Sequence, residues 1–385
     1  MRCWRLRMIC KRHFSFCREI TEIQAGRQLV KPLITAHDVP LMAHGNYLSW
    51  VIRSTRTRWW HDSADPGELE RGMQRGAVGV TTNPFLSNIA LNANREMWAE
   101  EIRAALSQSS KAEERAEALM RIPVTNAARK MLPVFERTEG KRGWVCAQVN
   151  PNRAGDRTGM MEMARRFHGW GPNVTVKLPA TAAGLDVLED CVAEGICVTA
   201  TVSFTVPQVL AVAQRHRAGI QRGKAKGIVP GGCFAVVMIG RLDDYLREVA
   251  QDGRADVSEA DIQLSGIAVV KRAYSIYQQR GYETEMIIAA FRGIYHMTEL
   301  AGAELIMSIF PSWQEPLSGD LPCEERIGRE VDPAVIKRLE RIPEFVRAYE
   351  PDGMKPEEFV TLGVTQRTMS QFADAGWKLM ENFRA

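Results

Sequence analysis

Eight short apolar, β-branched runs, the helix-period segments between them, and the lack of a GxGxxG turn after the first run predict an α/β protein closed as a (β/α)8 TIM barrel. The runs are Arg58–Ser63, Ala77–Thr82, Gly143–Val149, Asn173–Leu178, Ile196–Thr201, Cys233–Ile239, Glu285–Ala290 and Glu304–Ile309. Strands alternating with helices imply parallel pairing, because each crossover lays a helix on the sheet. An open doubly wound sheet is the competitor, and its dinucleotide-binding form would carry the missing glycine-rich turn.

The segments between the runs read as helices. Trp98, Ile102 and Ala105 are spaced four and three apart before the third strand. Met160, Met163, Ala164 and Phe167 form one face before the fourth, and the methionines read as helix core. Ile267, Val270, Tyr274 and Tyr277 form another before the seventh, opened by Ser258 with Asp261 three residues on as a capping box. The basic stretch Arg215–Lys226 reads as a loop at the N-terminal face of the barrel, away from chemistry. Beyond residue 315 the pattern is helical and charged, with several prolines. The expected organisation is a leader or extension over 1–45, then a single barrel domain over 46–385 with helices from about 315 packed on it.

At 385 residues, 45% hydrophobic and 25% charged, the composition is that of a globular chain, and no apolar stretch is long enough to span a bilayer. Six of the 50 basic residues fall in residues 1–18, which hold no acid, so the body is near neutral against its 46 acidic residues. A near-neutral body excludes the basic stripe of a nucleic-acid-binding protein. The eight cysteines show no CxxC pair and the seven histidines no metal-ligand spacing, so no metal site is expected and a reducing compartment fits. Cys3, Cys10 and Cys17 recur every seven residues, but without a paired ligand motif they read as unrelated leader cysteines. The Arg-rich, acid-poor first 40 or so residues suggest either a transit peptide or a start assigned ahead of Met42. Cytoplasmic location is the default reading, with organellar import the alternative.

Lys177 carries the chemical argument. It lies in Val174-Thr175-Val176-Lys177-Leu178-Pro179, an apolar strand that buries what it holds. Lysine is rarely buried unless paired or employed. Desolvation disfavours the ammonium, and a neutral amine attacks carbonyls to form Schiff bases. In a (β/α)8 barrel the working residues sit at the C-terminal strand ends. Those ends hold Asp62, Asn83, Gln148, Lys177, Thr201, Arg241 and Arg292. Alternation turns His61 outward when Asp62 faces in, and puts Thr199 with Thr201, Cys146 with Gln148 and Thr175 with Lys177. Taken singly these residues have plainer roles. Asp62 reads equally as a helix N-cap, Asn83 before Pro84 as turn chemistry, the threonines as ordinary strand residues and the arginines as surface ion pairs.

The segment Gly79-Val80-Thr81-Thr82-Asn83-Pro84-Phe85-Leu86 resembles the TTNP segment of the transaldolase family, which includes fructose-6-phosphate aldolase. Val176-Lys177-Leu178-Pro179-Ala180-Thr181 with Ala193-Glu194-Gly195-Ile196 resembles its Schiff-base strand and the approach to strand five. Gly240-Arg241-Leu242 and Phe291-Arg292 resemble its phosphate contacts, so the likeness runs over about 57–310. The resemblance implies that Lys177 forms the Schiff base with a dihydroxyacetone unit, that Asp62 handles the C4 hydroxyl proton and that Thr201 positions the catalytic water. It implies that Asn83 holds donor hydroxyls, with Thr82 and Thr199 beside it, and that Arg241 and Arg292 grip the phosphate. It also implies sugar phosphate substrates, no metal or organic cofactor, and leaves homo-oligomers open. Gln148 stands where transaldolases have glutamate and the aldolases glutamine. Thr199 replaces asparagine, Met238 an aromatic residue, Val236 a small residue and Ala290 a serine, so the pocket is more apolar. The expected activity is transaldolase-type transfer. An aldolase releasing free dihydroxyacetone and a non-catalytic sugar-phosphate binder are the alternatives.

Overall fold

A computed structural model of the chain describes residues 46–384, and the leader with its three cysteines lies outside the described residues. The eight strands are β1 Arg58–His61, β2 Gly79–Val80, β3 Trp144–Gln148, β4 Val174–Pro179, β5 Val198–Thr201, β6 Cys233–Met238, β7 Glu285–Ala289 and β8 Ile306–Ile309. All pair in parallel in chain order, and β8 returns to β1 with Arg58 opposite Ile306 and His61 opposite Ile309. The sheet is thus a closed barrel, which disposes of the open doubly wound alternative. Each expected strand is present. β2 is the shortest, a two-residue core inside the expected Ala77–Thr82.

The helix faces read from spacing are the buried ones. Trp98, Ile102, Met160, Met163, Phe167, Ile267, Val270 and Tyr277 are all buried, and Tyr274 is half-buried. Helix Glu259–Arg280 opens on the Ser258–Asp261 capping box. One expectation fails. Residues 215–225 are not a loop but the last turns of helix Val206–Ala225, capped by Lys226. Arg215 pairs with Asp186 and Glu189, and Arg222 with Glu189 and Asp190, so the charge run is a helix face answered by its neighbour helix.

Beneath the strand ends the barrel interior is aromatic. Trp60 meets Phe234 edge-on at 4.8 Å between ring centroids, and Trp144 lies 6.5 Å from the same ring. Gly79 makes room for this layer, since a Cβ there would fall 2.4 Å from the Trp60 indole. After β8, helices Pro311–Leu317, Pro333–Leu339, Pro343–Tyr349 and Gly363–Phe372 follow. Helix Gly363–Phe372 contacts helices Pro84–Ala93 and Ile239–Asp252, which follow β2 and β6. No helix among the described residues is long and apolar enough to cross a membrane.

Candidate active site

The C-terminal strand ends surround a cavity of about 260 Å³. Asp62, Asn83, Lys177, Thr201, Arg241 and Arg292 line it. A wider outer groove of about 1150 Å³ runs between helices Ala99–Ser107, Ala112–Arg137 and Arg157–His168. No strand end reaches it, and its Arg153 and Arg166 are paired with Glu113, Asp156 and Glu117.

Lys177 is 6% exposed, and its Nζ donates to the Thr82 carbonyl at 3.1 Å. Among the described residues this is the amine's one hydrogen bond, and it aims the nitrogen across β3 toward the loop after β2. Asp62 follows β1 on the cavity floor, where its backbone N–H still donates to Ile309. Asp65 rather than Asp62 caps the next helix, accepting from Gly67 and Glu68 at 2.9 Å, so the Asp62 carboxylate is free of capping. Thr81 donates to Asp62 Oδ1 at 2.8 Å, and the Ser308 hydroxyl bonds to Thr81. Burial raises the Asp62 carboxyl above its ordinary range. The Lys177 charge, the two hydroxyls and Arg241 oppose that rise without cancelling it.

Asn83 does cap helix Pro84–Ala93, its Oδ1 accepting from Leu86 at 2.9 Å, which leaves its NH₂ as the group offered to the cavity. Thr201 lines the wall, with Oγ1 buried and unpartnered among the described residues. The next residue, Val202, has φ +54°, rare and costly for a β-branched side chain. Buried Gln208 holds that turn, donating to the Val202 carbonyl at 3.1 Å and accepting from Phe204 N–H at 2.9 Å.

Three of the expected residues do not reach the cavity. Thr82 turns its hydroxyl to the Cys146 carbonyl at 2.7 Å and contributes its own carbonyl to Lys177. Thr199 lies one layer below, bonded to Thr175 at 2.9 Å. Gln148 pairs in register with Lys177 on the neighbouring strand, 2% exposed, with Oε1 unpartnered among the described residues.

The arginines differ from one another. Arg241 sits in the first turn of helix Ile239–Asp252 rather than at a strand end, half-buried. Burial and the nearby Arg292 charge lower it below the usual guanidinium range. Arg292 is exposed and bound to Asp244 at 2.7 Å, so here the ion-pair reading of the sequence holds alongside cavity lining. Its backbone N–H donates to His296 Nδ1 at 3.2 Å, and His296 Nε2 meets buried Asp243 at 2.7 Å. Gly240 permits this crowding, since a Cβ would fall 2.3 Å from the Ala290 carbonyl oxygen.

A family model described as Transaldolase/Fructose-6-phosphate aldolase matches residues 59–343, which span the whole barrel. The chain belongs to this family. It is 33% identical over 224 residues to a transaldolase of Neisseria gonorrhoeae, covering 55% of this chain and 60% of the relative. It is 28% identical over 326 residues to a transaldolase of Thiobacillus denitrificans, covering 80% and 87%. A Streptomyces coelicolor protein named transaldolase 1 is 28% identical over 276 residues, covering 70% and 68%. The chain thus spans about 60% of the length of the Neisseria relative and most of the Thiobacillus one.

Within this family member the apolar departures read from the sequence all line the cavity: Val236, Met238 and Ala290. Sequence reasoning missed Thr81 and Ser308 as partners of Asp62, and missed Phe310, Trp313, Gln371 and Phe372 on the rim. Ser308 had a signal, being a polar residue near the C-terminal end of an otherwise apolar strand, on the one strand whose end was left without a candidate. Gln371 and Phe372 had none, because their approach depends on how the chain folds back after β8.

Proposed function

We propose that this chain is an enzyme that moves a dihydroxyacetone unit between sugar phosphates through a Schiff base on Lys177. The observation that carries the reading is the buried Lys177 amine, held by one carbonyl and sharing a cavity with a carboxyl whose affinity for protons burial has raised. The amine adds to the ketose C2 carbonyl and water leaves, giving an iminium. Asp62 takes the C4 hydroxyl proton while the C3–C4 bond breaks and its electron pair passes to C3, where the iminium accepts it as an enamine. The aldehyde fragment departs. The enamine then adds to an acceptor aldehyde, Asp62 returns the proton, and water releases the new ketose from Lys177. No cofactor is invoked, because the iminium is the electron sink.

The Asn83 amide is suited to the donor hydroxyls, and the unpartnered Thr201 and Gln148 oxygens to orienting water. Arg241 and Arg292 are suited to the phosphate. Thr82 and Thr199, set back from the cavity, act on this reading through the lysine and the strand beneath it rather than by touching substrate.

Gln148 favours a second reading. An amide orients water but takes no proton, which fits an aldolase that releases free dihydroxyacetone. Incubating the chain with fructose 6-phosphate, with and without an aldose phosphate acceptor, separates the two. Product that requires the acceptor supports transfer. Glyceraldehyde 3-phosphate and free dihydroxyacetone in its absence support the aldolase. Neither product with any ketose phosphate would leave only the non-catalytic binder.

A further inference from the structure

The cavity is completed by the end of the chain as well as by the strand ends. Gln371 and Phe372, the last residues of helix Gly363–Phe372, line it together with Lys177 and Arg241. Phe372 is 3% exposed, and the Arg241 guanidinium carbon lies 5.6 Å from its ring centroid. Among the described residues Arg241 has no carboxylate partner, whereas Arg292 has Asp244. A ring face steadies a guanidinium without consuming its N–H donors, so all of them stay available to an anion.

A second observation ties this segment to the site. The helix continues into a π turn, Ala373–Trp377. The wider turn lets Phe372, Gly376 and Trp377 all face inward, where a regular helix would turn one of them away. Gly376 then packs against the first turn of helix Pro84–Ala93, and a Cβ there would fall 2.6 Å from the Phe85 nitrogen and 2.7 Å from the Pro84 carbonyl carbon. The C-terminal turn is therefore seated on the residues that follow Asn83 by a contact that only glycine allows.

We infer that Phe372 and Gln371 are specificity-determining residues, Phe372 keeping the Arg241 guanidinium turned to the cavity for the phosphate of a phosphorylated ketose and Gln371 flanking the same mouth. This rests on the Schiff-base reading above. An unphosphorylated ketose does not use the Arg241 contact, so Phe372 acts on the phosphate end and leaves carbonyl capture alone.

The test measures, on the full chain, the sugar concentration that gives half-maximal borohydride trapping, for fructose 6-phosphate and for fructose. Phe372→Ala raises the value for fructose 6-phosphate about tenfold and leaves fructose unchanged. Gln371→Ala moves it in the same sense by less, and Phe372→Tyr restores wild-type behaviour. If Phe372→Ala does not fold, as judged by thermal melting, Phe372→Met keeps the packing, loses the ring and carries the test. No change for either sugar, or an equal change for both, overturns the inference and leaves Phe372 a packing residue. A wild-type chain that traps neither sugar sinks the Schiff-base reading instead. The same contrast is then read by calorimetric binding of the two sugars, where a Phe372→Ala variant that matches wild type overturns the inference.

Discussion

Trp60 on β1 and Asp62 just beyond its end stand two residues apart and face the same barrel interior, yet one layer is aromatic and packed while the other is polar and lines the cavity. Around Trp60 the inward residues are Trp144, Phe234 and a glycine whose missing side chain admits the indole. Around Asp62 they are hydroxyls, a lysine, and two buried oxygens without partners among the described residues. The first layer satisfies the ordinary rule for a core, that close packing stabilises. The second violates it, since an unpartnered buried polar atom costs about 1–3 kcal/mol. The same strands supply both layers, and the Schiff-base proposal assigns the aromatic layer to stability and the polar one to chemistry.

Substitutions should divide along that line. Lys177→Ala should lower turnover by at least about a thousandfold, with thermal melting little changed; retained turnover would remove the polar layer from the chemistry. Asp62→Asn should cost about 10²–10⁴-fold in cleavage while imine trapping persists, because the carboxylate moves a proton and does not bind the carbonyl carbon. Loss of trapping along with cleavage would give Asp62 a different role. Trp60→Ala should do the reverse, destabilising the fold by about 3–5 kcal/mol in denaturant titrations while trapping survives below the melting transition. A chemical defect without a stability loss would dissolve the distinction between the layers.

The outward face of β1 gives the smallest effect. His61 is fully buried against Gly72, its Nδ1 bonded to Gln314 at 2.9 Å, and burial depresses its imidazole from the ordinary 6.5 to about 4. A depressed folded-state value means that the unfolded chain binds the proton more readily. The stability linked to His61 is therefore complete above pH 6.5 and is lost as pH falls toward 4, in total about 3 kcal/mol. Denaturant unfolding at pH 7 and pH 4.5 should show a shallower acid loss for His61→Gln than for wild type. Equal losses would mean that other groups drive acid unfolding.

The eight strands were legible because burial on both faces writes continuous apolar runs, and Lys177 stood out because it breaks one of them. Asp62 and His61 could be turned to opposite faces by alternation alone. What was not legible depends on fine geometry or distance along the chain. Thr82 sits in the right segment, but its hydroxyl turns to Cys146 and only its carbonyl serves the lysine. Charge alone could not show that Arg215–Lys226 ends a helix, because its carboxylate partners lie on the preceding helix Ala182–Ala193. Phe372 meets Arg241 only because helix Gly363–Phe372 folds back onto helices Pro84–Ala93 and Ile239–Asp252, far away in the chain.

The most direct test of the central claim is to incubate the full chain with fructose 6-phosphate, reduce with borohydride, digest, and map the modified residue by mass. The account predicts one reduced dihydroxyacetone adduct, located on Lys177 and absent from Lys177→Ala. An adduct on another lysine, or none at saturating ketose phosphate, would contradict it.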